Sequence, residues 1–261
     1  MTATLEVQGL SKRFGGVRAL VDFGIELAAG EVRGLIGPNG SGKSTTMHLI
    51  SGFLHADAGT IRLGGRPVNR LSPQRRAALG LGRTFQSPNL FPGLTVLENV
   101  LAGCHAVDRR GTHILDVYAR PRSSRESLET MTARSMSALE SIGLADRAHE
   151  LAVLLAYGEQ KLLGVARALV SDPTVILMDE PLAGLGPTEA ERLLRIVDEL
   201  RQTGRTVLLA EHDVPVVMSV CDRITVLNFG VTIAEGTPDE VQRHPEVLDA
   251  YLGREEPDGA G

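Results

Sequence analysis

Eight residues, Gly37 to Ser44, constrain the fold of this chain more than any other segment. They read Gly-Pro-Asn-Gly-Ser-Gly-Lys-Ser and match the pattern G-x-x-x-x-G-K-[S/T]. The glycines let the backbone curl so that several N–H groups point inward, where they can bind phosphate oxygens. The apolar run Val32 to Ile36 precedes this loop, and the segment Lys43 to Ile50 has the composition of a helix. This strand–loop–helix order predicts a nucleotide phosphate site on an α/β fold.

The side chains at the end of the loop add an ammonium group and a hydroxyl group to the backbone N–H donors. Lys43 is one of only three lysines in the chain, and it can reach the β- and γ-phosphates, while the Ser44 hydroxyl can ligate Mg²⁺. The helix that follows adds the positive end of its dipole. We therefore predict nucleotide binding by the loop and the residue after it: Gly37, Pro38, Asn39, Gly40, Ser41, Gly42, Lys43, Ser44 and Thr45.

Composition and charge exclude several classes of protein. The formal net charge of −5 disfavours a broad nucleic-acid footprint. Two cysteines, Cys104 and Cys221, lie far apart without metal-type spacing, which favours a reduced, cytosolic compartment. The segment Met1 to Leu10 lacks a signal-peptide pattern, and no apolar run approaches the roughly 18 residues that span a bilayer. Any membrane role is therefore expected to go through a partner.

Three short aliphatic runs predict strands that are covered on both faces: Val32 to Ile36, Val175 to Met178 and Val207 to Ala210. Polar residues follow each run at once: the phosphate loop, then Asp179 and Glu180, then Glu211 and His212. Ligands in open α/β sheets bind beyond the carboxyl ends of the strands. We therefore predict that Lys43, Asp179 and His212 serve one site.

The paired acids Asp179 and Glu180 suggest two different chemical roles. In phosphate-loop enzymes a strand-end aspartate holds Mg²⁺, directly or through water. The glutamate after it can orient or deprotonate the attacking water. Acids at strand ends also cap the next element, so the pattern alone leaves both interpretations open. Its position downstream of a phosphate loop favours the catalytic one.

Thr188 to Gln202 is the clearest predicted helix. Thr188 and Glu191 have the spacing of a capping box, and Gly204 is a natural stop. One buried face is predicted from the i, i+3, i+4, i+7 spacing of Leu193, Ile196, Val197 and Leu200. Gln160 to Val170 also has a helical pattern. The N-terminal part, Leu5 to Leu27 with Thr60 to Leu63, alternates like antiparallel strands.

The middle of the chain, from about Asn89 to Leu155, lacks strand signals. Turn residues and short helical patterns replace them, and a weak helical stripe is formed by Leu128, Met131, Leu139 and Ile142. We interpret this segment as a helical subdomain inserted between two parts of the sheet. Its arginines form either a solvated face or a contact with a partner or phospholipid: Arg109, Arg110, Arg120, Arg122 and Arg125.

The segment Leu155 to Gln160, which reads L-A-Y-G-E-Q, resembles the L-S-G-G-Q signature of the ATP-binding cassette (ABC) ATPases. The resemblance covers nearly the whole chain and rests on several motifs in order. Phe14 resembles the aromatic residue that stacks on adenine, and Gln86 resembles the Q-loop glutamine. Leu182 to Gly186 occupies the D-loop position and His212 that of the switch histidine.

Each of these residues has a plainer interpretation when it is taken alone. The alternatives are a core aromatic for Phe14, a surface glutamine for Gln86 and a structural histidine for His212. The order of the motifs favours the functional interpretation. The resemblance then implies a catalytic set of Glu180, His212, Lys43 and Gln86, and Mg²⁺ ligands Ser44, Gln86 and Asp179. Further ATP contacts are implied for Phe14 and, across a dimer, for Ala156, Tyr157, Gly158 and Glu159.

The resemblance also implies an architecture: an α/β P-loop NTPase with a mostly parallel core sheet, an N-terminal antiparallel β subdomain and an inserted helical subdomain. The expected ranges are a nucleotide-binding core with the β subdomain at 1–88 and 164–235, a helical and signature subdomain at 89–163, C-terminal helices at 236–253 and a disordered tail at 254–261. Together, residues 1–253 are expected to form a single ABC ATPase domain.

Two residues depart from the family pattern. Ala156 replaces the signature serine, so one hydroxyl donor to the γ-phosphate is missing, a loss of about 1.5–3 kcal/mol. Backbone N–H groups around Gly158 and the following helix N-terminus are the remaining donors. Gly186 replaces the D-loop aspartate, which affects contact with the opposite site. Neither change removes Lys43 or Glu180, so hydrolysis is still predicted.

The branch of the family is indicated by several segments together: Arg83-Thr84-Phe85-Gln86, the long stretch from Gly103 to about Ser137, L-A-Y-G, Glu180 to Leu185 and Tyr251-Leu252-Gly253. This combination resembles the ATPase subunits of high-affinity branched-chain amino acid importers. Lipopolysaccharide-export ATPases share the ending, but they more usually keep the signature serine and have a shorter middle. Importers of urea or short amides have similar ATPases. Non-transport cassettes are disfavoured because no coiled-coil heptads appear and the length holds one cassette.

The importer interpretation brings cofactors and partners with it. ATP and Mg²⁺ are the expected cofactors. Two ATPase subunits are expected to sandwich two ATP molecules head to tail, and the second subunit is expected to be a non-identical homologue. Transmembrane permease subunits are direct partners, a periplasmic or extracellular solute-binding protein is an indirect one, and no nucleic acid is involved. The expected location is the cytoplasmic face of the plasma (inner) membrane, as a peripheral subunit.

Overall fold

The computed structural model describes residues 4–104 and 121–252, with side chains for 4–104 and 128–250. The strands are β1 (Leu5–Phe14), β2 (Val17–Leu27), β3 (Val32–Ile36), β4 (Ala58–Leu63), β5 (Arg66–Pro67), β6 (Leu81–Arg83), β7 (Val175–Asp179), β8 (Thr206–Ala210), β9 (Arg223–Asn228) and β10 (Val231–Gly236). The α-helices are Lys43–Ser51, Pro73–Ala78, Val96–Cys104, Pro121–Ser141, Tyr157–Leu169, Pro187–Gln202, Val214–Val220, Pro238–Gln242 and Pro245–Leu252.

Some expectations fall outside these ranges. The predicted tail 254–261 and Arg109, Arg110 and Arg120 lie outside the described residues, as do the side chains of Arg122 and Arg125. Among the helices of the described ranges, none combines the length and apolarity needed to cross a membrane.

The chain forms two units, one from residues 1–70 and 206–261 and the other from 71–205. The first unit contains a four-stranded antiparallel sheet in the order β2-β1-β4-β5, as the alternating N-terminal pattern predicted. It also contains a second group of strands in the order β10-β9-β3-β8. In that group β3 is parallel to both β8 and β9, while β10 is antiparallel to β9. All five residues of β3 are buried, which explains why the strand is mostly aliphatic, with Arg33 as its one charged residue.

The second unit, residues 71–205, contains the parallel pair β6 and β7 and most of the long helices. Every residue of β7 is buried, including its terminal Asp179. Within the predicted helical segment 89–163, the described elements are helices, short 3-10 turns and one isolated bridge between Thr95 and Leu151.

The predicted capping box at Thr188 is wrong. The helix begins at Pro187, with Gly186 in extended conformation as its N-cap and no side-chain cap. Proline fixes φ near the helical value and has no N–H to satisfy, so it suits the first helical position. The predicted buried face is largely correct, because Leu193, Ile196 and Val197 are buried.

Two other local predictions need correction. The helix expected over Gln160 to Val170 begins earlier, at Tyr157, so the L-A-Y-G-E-Q segment forms the first turn of the helix instead of preceding it. The stripe in the middle segment is only partly buried: Leu139 is fully buried, whereas Leu128 is 58 % exposed.

Arg33 is a buried charged residue of the first unit. Its side chain is only 3 % exposed and contacts Glu31 at 2.6 Å and Glu235 at 2.9 Å. The same guanidinium donates to Thr225 Oγ1 and to the Glu26 carbonyl oxygen. A buried arginine in the middle of a strand is tolerated because four acceptors satisfy its donors.

We expect the substitution Arg33→Met to lower the free energy of unfolding by about 3 kcal/mol, since it leaves the buried Glu31 carboxylate without its cation. Urea unfolding followed by circular dichroism measures the change. The matched control is Arg62→Met, which removes an exposed arginine from β4 and is expected to cost less than about 0.5 kcal/mol. Equal stability of the two variants would contradict this account of Arg33.

Candidate functional site

The phosphate loop lies directly after β3 in the first unit, as predicted. Gly37, Gly40 and Gly42 all have positive φ, at 151°, 79° and 110°. A Cβ on Gly37 would lie 2.1 Å from the Leu227 carbonyl oxygen, and one on Gly42 would lie 2.7 Å from the Ala19 carbonyl oxygen. The loop therefore requires glycine at these two positions for steric reasons as well as for backbone conformation.

The groups of this loop suit a phosphate ligand. Lys43 is 6 % exposed, and its Nζ donates to the carbonyl oxygens of Gly37 at 2.6 Å and Pro38 at 3.1 Å. The helix Lys43–Ser51 has Gly42 as its N-cap, so no N-cap side chain satisfies the backbone N–H donors of its first turn. Ser41 is 2 % exposed, and its hydroxyl is buried with no hydrogen-bond partner. Uncapped donors, a buried cation and an orphaned hydroxyl together make a cradle for an anion.

Phe14 ends β1 in the same unit and is 48 % exposed. The Lys12 ammonium lies 5.7 Å from the centre of its ring. Phe14 is therefore not a core aromatic, and one of its faces is available for a planar ligand.

His212 follows β8, and its side chain is 58 % exposed. The residue before it, Glu211, is fully buried, and its carboxylate accepts the His212 backbone N–H at 3.2 Å. The His212 Nδ1 lies 3.6 Å from the same carboxylate. The strand end thus presents an exposed imidazole on a backbone that a buried acid holds in place.

Asp179 ends β7 in the second unit, and its side chain is 8 % exposed. Arg83, at the end of the neighbouring strand β6, lies 3.3 Å from its carboxylate. Burial lowers the pKa of Arg83, and the Asp179 carboxylate opposes that shift. Arg83 also lies 4.9 Å from the ring centre of Phe85. A buried carboxylate at a strand end is a suitable ligand for a hard divalent cation.

Glu180 and Gln86 are brought together in the second unit. The Gln86 side-chain amide donates to the Glu180 carboxylate at 2.8 Å, across 94 residues of sequence. Glu180 has a φ of 45°, which is uncommon for a residue with a side chain. Backbone strain of this kind costs about 1–3 kcal/mol and concentrates at functional sites.

Lys161 is a residue of this region that the sequence analysis did not single out. It is 5 % exposed, and its Nζ donates to the Glu180 carbonyl oxygen at 2.9 Å and to the Ala183 carbonyl oxygen at 2.6 Å. These bonds connect the helix Tyr157–Leu169 to the turn that holds Glu180 in its strained conformation. The only sequence signal that could have pointed to Lys161 is that lysine is rare in this chain.

The segments expected to contact a second nucleotide lie next to each other in the second unit. Tyr157 is 52 % exposed, and a Cβ on Gly184 would lie 3.1 Å from its ring. A Cβ on Gly158 would meet Glu189 at 3.1 Å. The signature turn therefore packs against the D-loop segment of its own chain, and Gly186 forms the N-cap of the next helix.

Three candidate ligands carry oxygen donors of the kind that Mg²⁺ prefers: the Ser44 hydroxyl, the Gln86 amide oxygen and the Asp179 carboxylate. Their chemistry fits the metal. The phosphate loop, with its orphaned Ser41 hydroxyl, fits the phosphates that such a metal accompanies.

A strand–loop–helix cradle on a parallel sheet, in a chain that also ends a buried parallel strand with two acids, is the pattern of a P-loop NTPase. The family model for the ABC transporter matches residues 20–183, and a second one, for the branched-chain amino acid ATP-binding cassette transporter, matches residues 231–257. The chain belongs to the ABC transporter family and is an ATPase of that family.

Curated relatives match over almost their whole length. The chain is 42 % identical over 252 residues to the high-affinity branched-chain amino acid transport ATP-binding protein LivG of Salmonella typhimurium, covering 95 % of this chain and 97 % of LivG. It is 39 % identical over 254 residues to BraF of Pseudomonas aeruginosa, with the same coverage. The lipopolysaccharide export system ATP-binding protein LptB of Escherichia coli is 32 % identical over 253 residues, covering 97 % of this chain and 98 % of LptB.

Solved structures agree with the fold. The ADP conformation of MJ1267, an ATP-binding cassette of an ABC transporter, has a TM-score of 0.83 and 34 % identity, covering 97 % of this chain and all of MJ1267. The dimeric post-hydrolysis state of the ATP-binding cassette MJ0796, bound to ADP and Pi, has a TM-score of 0.76 and 26 % identity, covering 90 % of this chain and 98 % of MJ0796. The predicted fold class is confirmed.

Proposed function

We propose that this chain is the ATP-hydrolysing subunit of an importer for branched-chain or related amino acids. The proposal that the chain binds and hydrolyses ATP rests on the phosphate loop, with its buried Lys43 and the helix after it that has no side-chain cap. The proposed class of transported solute rests on the similarity to LivG and BraF and on the family match at residues 231–257.

In the proposed site, each of the predicted groups has one role toward ATP. The phosphate loop of the first unit binds the β- and γ-phosphates, and Phe14 offers its exposed face to the adenine. Ser44, Gln86 and Asp179 would hold Mg²⁺, which when bound neutralises charge on the phosphates. Glu180 accepts a proton from the attacking water, and Gln86 orients that carboxylate through its hydrogen bond. His212 donates toward the transferring phosphoryl group.

Dimerisation completes the proposed site. The similarity to a dimeric cassette supports a head-to-tail pair in which Ala156, Tyr157, Gly158 and Glu159 of one chain close over the ATP of the other. The exposed face of Tyr157 and the N-terminus of its helix are compatible with that role. The second ATPase is proposed to be a non-identical homologue.

The remaining partners are permease subunits in the membrane and, indirectly, a solute-binding protein. Several large apolar side chains of the second unit support a permease contact because they are about half exposed or more: Phe91, Leu151, Val153 and Leu154. The chain is then a peripheral subunit on the cytoplasmic face of the membrane. No nucleic acid is proposed as a partner.

The proposed import function is tested on the chain purified with its companion ATPase and permeases and reconstituted in vesicles. With the proposed solute-binding protein added, leucine, isoleucine or valine is expected to stimulate Mg²⁺-dependent ATP hydrolysis several-fold, and EDTA is expected to abolish it. Urea is the control solute, and co-purification with a lipopolysaccharide-export permease is the competing outcome. Stimulation by urea alone, or that co-purification, would overturn the proposed cargo. Absence of any Mg²⁺-dependent ATP binding would overturn the whole proposal.

A further inference from the structure

The first turn of the helix Tyr157–Leu169 is capped in an unusual way. The Glu159 carboxylate reaches back and accepts the backbone N–H of Ala156 at 2.8 Å. In a complete capping box the N-cap side chain returns a second bond, but the Ala156 methyl group has no acceptor. Two side chains therefore fix the signature backbone: the Glu159 carboxylate, and the Gln160 amide, which donates to the Leu155 carbonyl oxygen at 3.0 Å.

Arg147 holds the Glu159 carboxylate. Its Nη1 donates to Glu159 Oε2 at 2.8 Å, and its Nε and Nη2 donate to Glu150 Oε2 at 3.0 and 2.7 Å. The Nη2 also lies 3.5 Å from the Leu154 carbonyl oxygen. The hydrogen bonds to Glu150, and to a smaller extent to Glu159, raise the pKa of Arg147, so its guanidinium stays positively charged. One guanidinium thus connects the 3-10 turn Ala145–Arg147 with the segment before the signature and with the signature turn itself.

The charge of Glu159 creates a difficulty at this position. A carboxylate near a helix N-terminus is favourable in the free helix because it complements the dipole. The same carboxylate repels a triphosphate that approaches that N-terminus, since like charges in an interface are unfavourable. A cation bonded directly to the carboxylate offsets the repulsion and leaves the backbone N–H groups attractive to an anion.

We propose that Arg147 is a positioning residue for ATP hydrolysis: it holds the Glu159 carboxylate against the signature turn and offsets its negative charge. This role rests on the proposed function, in which the signature of one chain closes over the ATP bound to the other. Arg147 itself touches no nucleotide in this arrangement. It acts through the Glu159 carboxylate and the Ala156 N–H.

Arg147→Gln tests this role because it removes the cation and leaves Glu159 in place. In the reconstituted complex, we expect kcat to fall about tenfold, because closure over the partner's ATP becomes unfavourable. The affinity of the isolated subunit for MgATP should stay within about twofold, since its own phosphate loop is unchanged. ATP-dependent dimer formation with the companion ATPase, measured by size-exclusion chromatography in a Glu180→Gln background, should need about tenfold more protein.

Two further variants separate the charge from the fold. In Arg147→Gln with Glu159→Gln, the glutamine can still accept the Ala156 N–H while the repulsive charge is gone, so kcat should recover to within about threefold of wild type. Arg147→Lys keeps the charge but loses the fork that spans two carboxylates, so its kcat should lie between those of wild type and Arg147→Gln. A purely structural role of Arg147 would give no recovery in the double variant.

Arg201→Gln is the matched control, because Arg201 also pairs with an acid three residues away, on the exposed face of the helix Pro187–Gln202. Its kcat and dimerisation should equal those of wild type. Wild-type kcat and dimerisation in Arg147→Gln would overturn the inference, as would a double variant no better than the single one. If wild-type protein binds no MgATP, the proposed function fails instead, so the two failures are distinguishable. Melting curves of each variant establish that the compared proteins are folded.

Discussion

Glu180→Gln is expected to slow ATP hydrolysis by about 10²- to 10⁴-fold while MgATP binding stays within a few-fold of wild type. The amide has nearly the shape of the carboxylate, so the strained backbone at φ 45° and the Lys161 bond to the Glu180 carbonyl oxygen are retained. What is lost is the ability to take a proton from water. Single-turnover hydrolysis of radiolabelled ATP by the purified complex measures the loss.

The same substitution should also trap the ATP-bound dimer, because hydrolysis is the step that we expect to open it. Size-exclusion chromatography of the chain mixed with its companion ATPase and MgATP should show a dimer for Glu180→Gln and mostly monomers for wild type. Glu199→Gln is a suitable control, since Glu199 is exposed on the helix Pro187–Gln202 and its loss should leave turnover unchanged. Wild-type turnover in Glu180→Gln would show that the proton acceptor has been assigned to the wrong residue.

Lys43→Met should lower MgATP affinity by about 100-fold, equivalent to about 3 kcal/mol. Methionine keeps the aliphatic stem of this buried side chain but removes the charge-assisted bonds that the ammonium can make to two phosphates, each contributing about 1.5–3 kcal/mol. Titration with a fluorescent ATP analogue, in the presence of Mg²⁺, measures the dissociation constant.

Arg66→Met is the control for this experiment because it removes an exposed cation from β5 of the same unit. Its affinity for the analogue should match that of wild type. An unchanged dissociation constant in Lys43→Met, with a normal melting curve, would exclude the phosphate loop as the main nucleotide-binding site. The orphaned Ser41 hydroxyl and the steric need for glycine at positions 37 and 42 would then require another explanation.

Most of the local structure around the candidate site followed from sequence patterns. The aliphatic runs before Gly37, Asp179 and Glu211 are strands in the structure, and the chemistry-bearing residues come directly after them. Such predictions succeed because they rest on interactions between residues a few positions apart, which are encoded by apolar periodicity and by the conformational freedom of glycine. Helix starts were less predictable: Pro187 and Tyr157 begin their helices in place of the expected Thr188 and Gln160.

By itself, the sequence determined the order of strand, phosphate loop and helix, the acids at the end of β7 and the family to which the chain belongs. Only the tertiary structure decided which side chains support these groups. Arg83 pairs with Asp179, which lies 96 residues away in sequence. Lys161 donates to the Glu180 carbonyl oxygen, and Arg147 donates to the Glu159 carboxylate. The physical reason is that a long side chain finds its partner through the packing of whole elements. No short-range pattern records which of many arginines or lysines will be placed there.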